Sequence, residues 1–195
     1  MQSWQALPAA VLKESGEIGV AFTALGLMDY RAAARYIGEL PYGRNADRAD
    51  FRRVLAEQRG TCSTKHALLA ALAAEQHLPV GLFLGLYAMT ERNTPGVGAV
   101  LSRYGLDCIP EAHCYLIYSG ERIDVTRVLV SAEEPIAEFL HEEQIRPEQI
   151  GAYKVELHQC FLRRWSAGLH LALSWEQVWQ IREACIAALA EGEVR

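Results

Sequence analysis

Cys62 has the sequence setting of an enzymatic nucleophile. It follows Gly60 and Thr61 and precedes an apolar run of Ala and Leu at 67–72. Glycine allows a tight approach of the chain, and a hydroxyl residue can cap open amides, so a helix is predicted to begin at or next to the cysteine. The unpaired amides and the dipole at such a position favour thiolate over thiol and lower the pKa of the cysteine. The pattern therefore predicts a reactive thiolate.

A predicted hairpin further along the chain carries a possible base and its partner. Residues 111–118 are rich in aromatic and branched side chains, residues 119–120 (Ser-Gly) have turn composition, and residues 121–126 form the returning strand. If 119 and 120 are the two central turn residues, His113 and Asp124 are diagonal neighbours on one face, roughly 7–8 Å apart at the backbone. A register shift of one residue would separate them. We expect His113 to act as general base and Asp124 to orient its ring.

Taken together, these residues resemble the transglutaminase-like superfamily of cysteine enzymes, whose core is a variant of the papain-like fold. The resemblance covers about residues 59–127 and rests on three motifs. They are Gly-x-Cys at a helix start (Gly60-Thr61-Cys62), a strand His followed two residues later by an aromatic (His113 and Tyr115), and Asp-x-Thr on the next strand (Asp124-Val125-Thr126). The resemblance implies the roles of nucleophile, general base and orienting acid for Cys62, His113 and Asp124.

The resemblance also implies a fold and an activity. The expected fold is α+β with a transglutaminase-like, papain-like core, in which the nucleophile helix packs on an antiparallel sheet that carries the His and Asp, with additional N- and C-terminal helices. The expected activity is attack on an amide bond through a thioester intermediate, as in a peptidase, amidase, deamidase or acyltransferase. The partner would be an amide-containing substrate (a peptide, a protein side chain or a small molecule), and no cofactor is implied.

Two alternatives stay open. The chain could be a catalytically idle binding or scaffold protein on the same fold, or an arylamine N-acetyltransferase-like enzyme that uses a similar triad with acetyl-coenzyme A.

Residues near Cys62 supply candidates for an oxyanion hole and for substrate contacts. The backbone amide of Cys62 is the natural first oxyanion donor, with Gln58 or Tyr42 as a side-chain donor. Asn45 is a further candidate for a substrate contact. Tyr42 and Asn45 lie in the polar segment 40–48, which is either a solvated connection or a rim of the site.

Two residues one turn into the predicted helix could compete for these roles. His66 lies four residues after Cys62 and is a rival base, although the sequence shows no carboxylate to orient it. Lys65 could raise the local positive potential. Solvent exposure is the expected state of both side chains.

Composition favours a single domain over residues 1–195. The chain has 195 residues, 51% of them hydrophobic, and a net charge of -5, so it can bury a substantial core and gives no reason to expect nucleic-acid or anionic-membrane binding. The start of the chain lacks the pattern of a signal peptide, and no apolar stretch has the length of a membrane span. A cytoplasmic location is therefore expected.

The cysteines indicate reduced thiols. They form an odd set without CxxC spacing, Cys62, Cys108, Cys114, Cys160 and Cys185, which suits a reducing compartment. His158 and Cys160 could supply two metal ligands, but the paired spacing of a zinc site is missing, so no metal is predicted. Cys114 should face away from His113, into the core.

Periodicity and turn signals predict the remaining elements. Helices are expected at 7–18, 29–37, 50–58, 62–76, 135–141 and 174–190, the last opened by a Ser174–Gln177 capping box. Strands are expected at 80–89 and 152–158, a buried apolar run at 19–28, and a mobile excursion at 90–102 that could cover a cleft.

Overall fold

The computed structural model describes residues 3–126, 136, 138–168 and 173–192. Seven helices lie within these residues: α1 Glu17–Ala24, α2 Tyr30–Glu39, α3 Arg53–Glu57, α4 Cys62–Glu75, α5 Gly98–Arg103, α6 Ala152–Gly168 and α7 Trp175–Gly192. Four strands, β1 Gly81–Met89, β2 Ile109–Tyr118, β3 Glu121–Ile123 and β4 His141–Ile145, form one antiparallel sheet in the order β3-β2-β1-β4. The fold is mixed α+β, as expected.

Local capping sets the start of α4. The hydroxyl of Thr61 accepts the amide of Thr64, and the hydroxyl of Thr64 accepts the amide of Thr61 at 3.0 Å. These reciprocal bonds satisfy two amides at the helix start. The helix begins at Cys62, and Gln76 is its C-cap residue. Both predicted ends of this helix are confirmed.

The hairpin between β2 and β3 has the predicted register. Its two turn residues have positive φ angles, 52° for Ser119 and 82° for Gly120, as a two-residue type I′ turn requires. The paired residues are Leu116 with Ile123, Ile117 with Arg122, and Tyr118 with Glu121. Strand β3 ends at Ile123, so Asp124 follows the strand and does not lie within it.

The chain forms two compact units. The first unit comprises Met1–Leu84, Cys114–Val128 and Glu143–Gly151, and the second comprises Gly85–His113, Leu129–Glu142 and Ala152–Arg195. Each unit is therefore assembled from three separate chain segments. The single domain expected from composition stays a prediction.

Helix α4 is central to the first unit. It packs against α1, α2, α3 and a short 3-10 helix at Pro147–Ile150. The fully buried Tyr30 of α2 donates its hydroxyl to the Leu69 carbonyl at 2.9 Å. The Glu75 carboxylate accepts the amides of Ile18 and Gly19 at 3.1 and 2.7 Å, and so caps α1. These bonds fix the neighbouring helices to α4.

Helix α7 and its neighbours form the core of the second unit. Its start is the predicted capping box, because the Gln177 amide donates to the Ser174 hydroxyl and the Ser174 amide donates to the Gln177 side chain. The buried core residues of this unit are Tyr87, Met89, Val97, Leu101, Ile109, Leu162, Val178, Ile181, Cys185, Ile186 and Leu189.

A buried ion pair joins α7 to β2 within the second unit. The Arg182 guanidinium donates Nε and Nη2 to the two carboxylate oxygens of Glu111, and both residues are under 10% exposed. Burial opposes ionisation of Glu111, but the charge and hydrogen bonds of Arg182, with smaller contributions from His158 and Lys154, lower its pKa to about 2. Glu111 is thus a buried, ionised carboxylate two residues before His113.

Three predicted elements are wrong. The segment 152–158 was expected to be a strand but forms the start of α6, whose buried residues Lys154, His158, Leu162 and Ser166 recur every four positions. Most of them are polar, so a search for apolar periodicity does not find the stripe. Residues 7–18 are not one helix, since α1 begins only at Glu17. The expected helix at 135–141 lies partly outside the described residues, and its last residue, His141, begins β4.

Three further expectations hold only in part. Within the expected helix 50–58 the structure forms the shorter α3, Arg53–Glu57. The apolar run 19–28 is not wholly buried, since Val20, Leu25 and Met28 are exposed. The segment 90–102 includes all but the last residue of α5, and Glu91 closes the preceding loop by accepting the amides of Gly96 and Gly98.

None of the helices within the described residues combines the length and apolar character needed to cross a membrane.

Replacing Glu111 by Gln should destabilise the protein at pH 7 by about 3 kcal/mol, because Arg182 would remain buried without its carboxylate. The pKa of Glu111 is lowered from 4.5 to about 2 on folding, so its stabilising effect is present above pH 4.5 and lost as the pH falls toward 2. The difference between wild type and Glu111→Gln should shrink over that range. Urea unfolding at several pH values measures it.

The matched control is Glu183→Gln. Glu183 also accepts from Arg182, but its side chain is 27% exposed, so the loss should be smaller. Equal stability of wild type and Glu111→Gln at pH 7 would contradict the role of this pair.

Candidate active site

Cys62 is the first residue of α4 and is largely buried, with 9% of its surface exposed. Its Sγ lies 3.9 Å from the Ser63 hydroxyl. The positive end of the α4 dipole therefore lies at the sulfur-bearing residue, where it stabilises negative charge. This is the position that the sequence predicted.

Only glycine fits at position 60, because the space next to this helix start is too small for a side chain. A Cβ atom there would lie 2.9 Å from Lys65 Cγ and 3.0 Å from Thr64 Oγ1 and Val54 Cγ2. The sequence-based explanation, backbone freedom, is not the operative one, because Gly60 is not among the residues with positive φ. The glycine lets the chain run close against the first turn of α4.

The loop 40–48 lies against the residues that precede Cys62. Tyr42 pairs with Gly60 in an isolated parallel bridge, with the Gly43 amide on the Gly60 carbonyl and the Gly60 amide on the Pro41 carbonyl, both at 3.2 Å. The loop therefore borders the start of α4, as the rim interpretation requires. Tyr42 itself is half-buried.

Asn45 is buried in this loop and links it to the start of α4. Its amide nitrogen donates to Glu57 Oε2 at 3.1 Å and to the Arg59 carbonyl at 3.0 Å, while its oxygen accepts the Thr64 hydroxyl at 2.8 Å. Both amide hydrogens are thus used inside the protein, and only 5% of the residue is exposed. These contacts make Asn45 part of the structure that holds the helix start, and its predicted substrate contact stays a prediction.

Gln58 is exposed, and its side chain turns back on α3. Its amide nitrogen donates to the Leu55 carbonyl, and its oxygen accepts the Tyr36 hydroxyl at 2.7 Å. The residue is the C-cap of α3 with a φ of 52°. This geometry does not direct the Gln58 amide toward an oxyanion at Cys62.

Asp124 is oriented by its own turn. Its Oδ1 accepts the Thr126 amide at 2.8 Å and the Thr126 hydroxyl at 2.5 Å. A carboxylate that accepts the amide two residues later is a common turn-stabilising arrangement. The Asp-x-Thr motif thus fixes the direction of its own carboxylate.

His66 is fully buried, which corrects the expectation of exposure. Its Nε2 accepts the Val125 amide at 2.9 Å, and its Nδ1 lies 2.8 Å from the Cys62 carbonyl. Because an amide can only donate, Nε2 carries no proton, and Nδ1 carries the proton that goes to Cys62. The ring is therefore neutral, and the 3.5 Å between Nε2 and Asp124 Oδ1 is not an ion pair. Both ring nitrogens are engaged, so His66 is not available as the rival base.

Lys65 is also fully buried, against expectation. Its Nζ donates to the Leu40 carbonyl at 2.5 Å and to the Thr126 carbonyl at 2.6 Å. The first turn of α4 is thereby bonded both to the loop after α2 and to the segment that carries Asp124. Helical spacing alone could not show this, because both partners are backbone carbonyls distant in sequence.

His113 lies on β2 and is the last residue of the segment Gly85–His113 of the second unit, with 9% of its surface exposed. Within that unit the Tyr87 ring meets it edge to face, with centroids 6.2 Å apart, and the Tyr87 hydroxyl bonds with Thr94 Oγ1 at 3.0 Å. The next residue, Cys114, belongs to the first unit and is fully buried.

The remaining cysteines lie in settings unlike that of Cys62. None of the five cysteines, all within the described residues, forms a disulfide. Burial raises the pKa of Cys185 to about 11, with Glu111 adding to the effect, and burial together with Asp107 raises the pKa of Cys108. Cys160 is exposed on α6. Across the described part of the chain, no group of three His, Cys, Asp or Glu side chains is arranged to hold a metal ion.

In comparisons with protein-family models, curated proteins and solved structures, nothing matches this chain. The transglutaminase-like resemblance therefore stays a prediction.

Replacing Asn45 by Ala should destabilise the protein by about 2 kcal/mol, because the Thr64 hydroxyl and the Arg59 carbonyl lose a buried partner. Asn45→Asp should cost more, since it turns the donor that faces Glu57 into an acceptor. The pKa of Glu57 lies below its ordinary value despite the opposing effect of burial, because Asn45, Ala46 and Arg53 bond to the ionised form. Thermal unfolding measures both variants.

Asp47→Asn, at an exposed position in the same loop, is the control and should be close to wild type. If Asn45→Asp were as stable as wild type, the hydrogen bonds of Asn45 would not hold the loop 40–48 to the start of α4.

Proposed function

We propose that this chain is a cysteine enzyme of the transglutaminase-like type, with a papain-like core, that acts on an amide bond through a thioester. One observation carries the proposal. Cys62 opens a capped helix, and the first turn of that helix bonds directly to the segment Asp124–Thr126. A nucleophile and an acid that are far apart in sequence are thereby joined by buried contacts.

In the proposed reaction, His113 takes the proton of the Cys62 thiol and the sulfur attacks the amide carbonyl. The tetrahedral intermediate collapses to a thioester as His113 returns the proton to the leaving amine. Water then gives hydrolysis or deamidation, and a second amine gives acyl transfer. Asp124 stabilises the imidazolium that forms on His113.

The hairpin register supports this pairing of base and acid. The observed pair Ile117 and Arg122 has the parity that, in a ladder continued two residues at a time, would give His113 and Asp124 the same face; β3 itself ends at Ile123. The opposite parity would have argued against the triad. The Thr126 bonds to Oδ1 hold the Asp124 carboxylate in one orientation.

The backbone amide of Cys62 is the proposed first oxyanion donor, because it lies at the start of α4. Gln58 is not part of this proposal, since its amide nitrogen donates to Leu55. Asn45 is not part of it either, since its amide nitrogen and its oxygen are bonded to Glu57, Arg59 and Thr64. Tyr42 stays a candidate for the second donor, since its backbone lies beside Gly60.

Iodoacetamide should modify Cys62 at least about tenfold faster than Cys160 at pH 6, because an ordinary thiol is almost wholly protonated there. Cys108 and Cys185 should react most slowly, since their raised pKa values keep them as thiols. Mass spectrometry of each cysteine peptide over time measures the rates from pH 5 to 9.

His113→Asn should remove most of this difference, because the thiolate loses its imidazolium partner. His77→Asn is the matched control, since His77 is exposed beyond the end of α4 and its positive φ of 56° suits asparagine. A Cys62 that reacts no faster than Cys160 would contradict the proposal and favour an idle scaffold. Acetylation of Cys62 by acetyl-coenzyme A would instead favour the arylamine N-acetyltransferase-like alternative.

A further inference from the structure

We infer that Lys65 and His66 are positioning residues, which hold the segment Asp124–Thr126 against the first turn of α4. We term Asp124–Thr126 the acid segment. The inference deepens the proposed function and rests on it, because it assigns how the acid is kept beside the nucleophile's helix. It concerns two buried side chains that the proposed reaction does not use.

The first observation is where the sheet stops. The ladder between β2 and β3 ends with the pair Leu116 and Ile123, and β3 ends at the same residue. Sheet pairing therefore fixes the chain up to Ile123. The position of the acid segment depends on bonds made after that point.

The second observation is that consecutive residues of α4 supply those bonds. The Val125 amide donates to His66 Nε2 at 2.9 Å, and the Thr126 carbonyl accepts Lys65 Nζ at 2.6 Å. One side chain accepts and the other donates, so the backbone of the acid segment is held on both its donor and its acceptor side. Both side chains are fully buried, where such bonds are costly to break.

The third observation is that His66 also bonds to the nucleophile's own residue. Its Nδ1 donates to the Cys62 carbonyl at 2.8 Å. A single neutral ring therefore connects the Cys62 backbone with the Val125 backbone, and it can do so only in the tautomer with the proton on Nδ1. The ring acts through its geometry and takes no proton from Cys62.

The fourth observation is that Lys65 links a third segment. Its second bond, to the Leu40 carbonyl, joins α4 to the loop that borders the start of the helix. The acid segment and this loop are thus held by one ammonium group. Displacing Lys65 would release both from α4.

The test exploits the different reach of two amide side chains. Glutamine at position 66 can place an oxygen where Nε2 lies and accept the Val125 amide. The amide nitrogen of asparagine reaches only as far as the position of Nδ1, so it can donate to the Cys62 carbonyl but cannot replace the bond to Val125. We expect the Val125 amide to exchange its hydrogen about tenfold faster in His66→Asn than in wild type, and His66→Gln to restore most of the protection.

A double-mutant cycle separates positioning from general stability. The readout is the pH profile of Cys62 alkylation by iodoacetamide. His66→Asn should move the profile toward that of an ordinary thiol, but should add little once Asp124 is already Asn, because His66 acts through the acid. Additive effects of His66→Asn and Asp124→Asn would mean a purely structural residue and would overturn the inference.

Failure of the inference and failure of the proposed function give different results. A wild-type Cys62 that alkylates as an ordinary thiol overturns the proposed function, and Val125 exchange still decides whether α4 anchors the acid segment. An activated Cys62 with equal Val125 exchange in wild type, His66→Gln and His66→Asn overturns the inference alone.

A measurement on the wild-type protein covers the case in which His66→Asn does not fold. In native-state hydrogen exchange with added denaturant, the Val125 amide should lose its protection at the same denaturant concentration as the amides in the first turns of α4. Opening of Val125 at lower denaturant, while α4 stays closed, would also overturn the inference.

Discussion

The arrangement of the first unit depends on two buried side chains that join α4 to a segment lying beyond the sheet. Lys65 donates to the Thr126 carbonyl and His66 accepts the Val125 amide, while His66 also bonds to the Cys62 carbonyl. Backbone groups buried without partners destabilise a fold, so these bonds strongly favour one position for the segment. The Asp124 carboxylate is then directed by Thr126, within the same three residues.

The start of α4 is held from the other side by the loop 40–48. Asn45 bonds to Thr64 in the first turn of the helix and to the Arg59 carbonyl in the chain that leads into it. At position 60 there is no space for a side chain, so only glycine fits between this chain and the first turn. Cys62 thus lies at a helix start that is capped by Thr61 and Thr64, closely packed at Gly60 and bonded to Asn45. The proposed role of Cys62 as a nucleophile requires such rigidity, since small displacements of reacting groups lower the rate steeply.

The features that could be predicted from sequence are those set by neighbouring residues. Thr61 and Thr64 cap α4, and Ser119-Gly120 adopts the turn that fixes the hairpin register, so both were accessible to local argument. The burial of Lys65 and His66 could not be predicted from the sequence, because their partners are backbone groups distant in sequence that the helix pattern does not reveal. Helix α6 was missed for a related reason, since its inward stripe includes Lys154, His158 and Ser166. The structural role of Asn45 could not be predicted, because its partners Glu57, Arg59 and Thr64 lie 12 to 19 residues further along the chain.

The most direct test of the central claim is the ultraviolet absorbance of the Cys62 thiolate, taken as the difference between wild type and Cys62→Ser over a pH titration. If Cys62 is the activated nucleophile of the proposed triad, the thiolate should form well below pH 7, and His113→Asn should return its midpoint toward the ordinary value of about 8.5. A Cys62 that titrates near that ordinary value in both proteins would contradict the account.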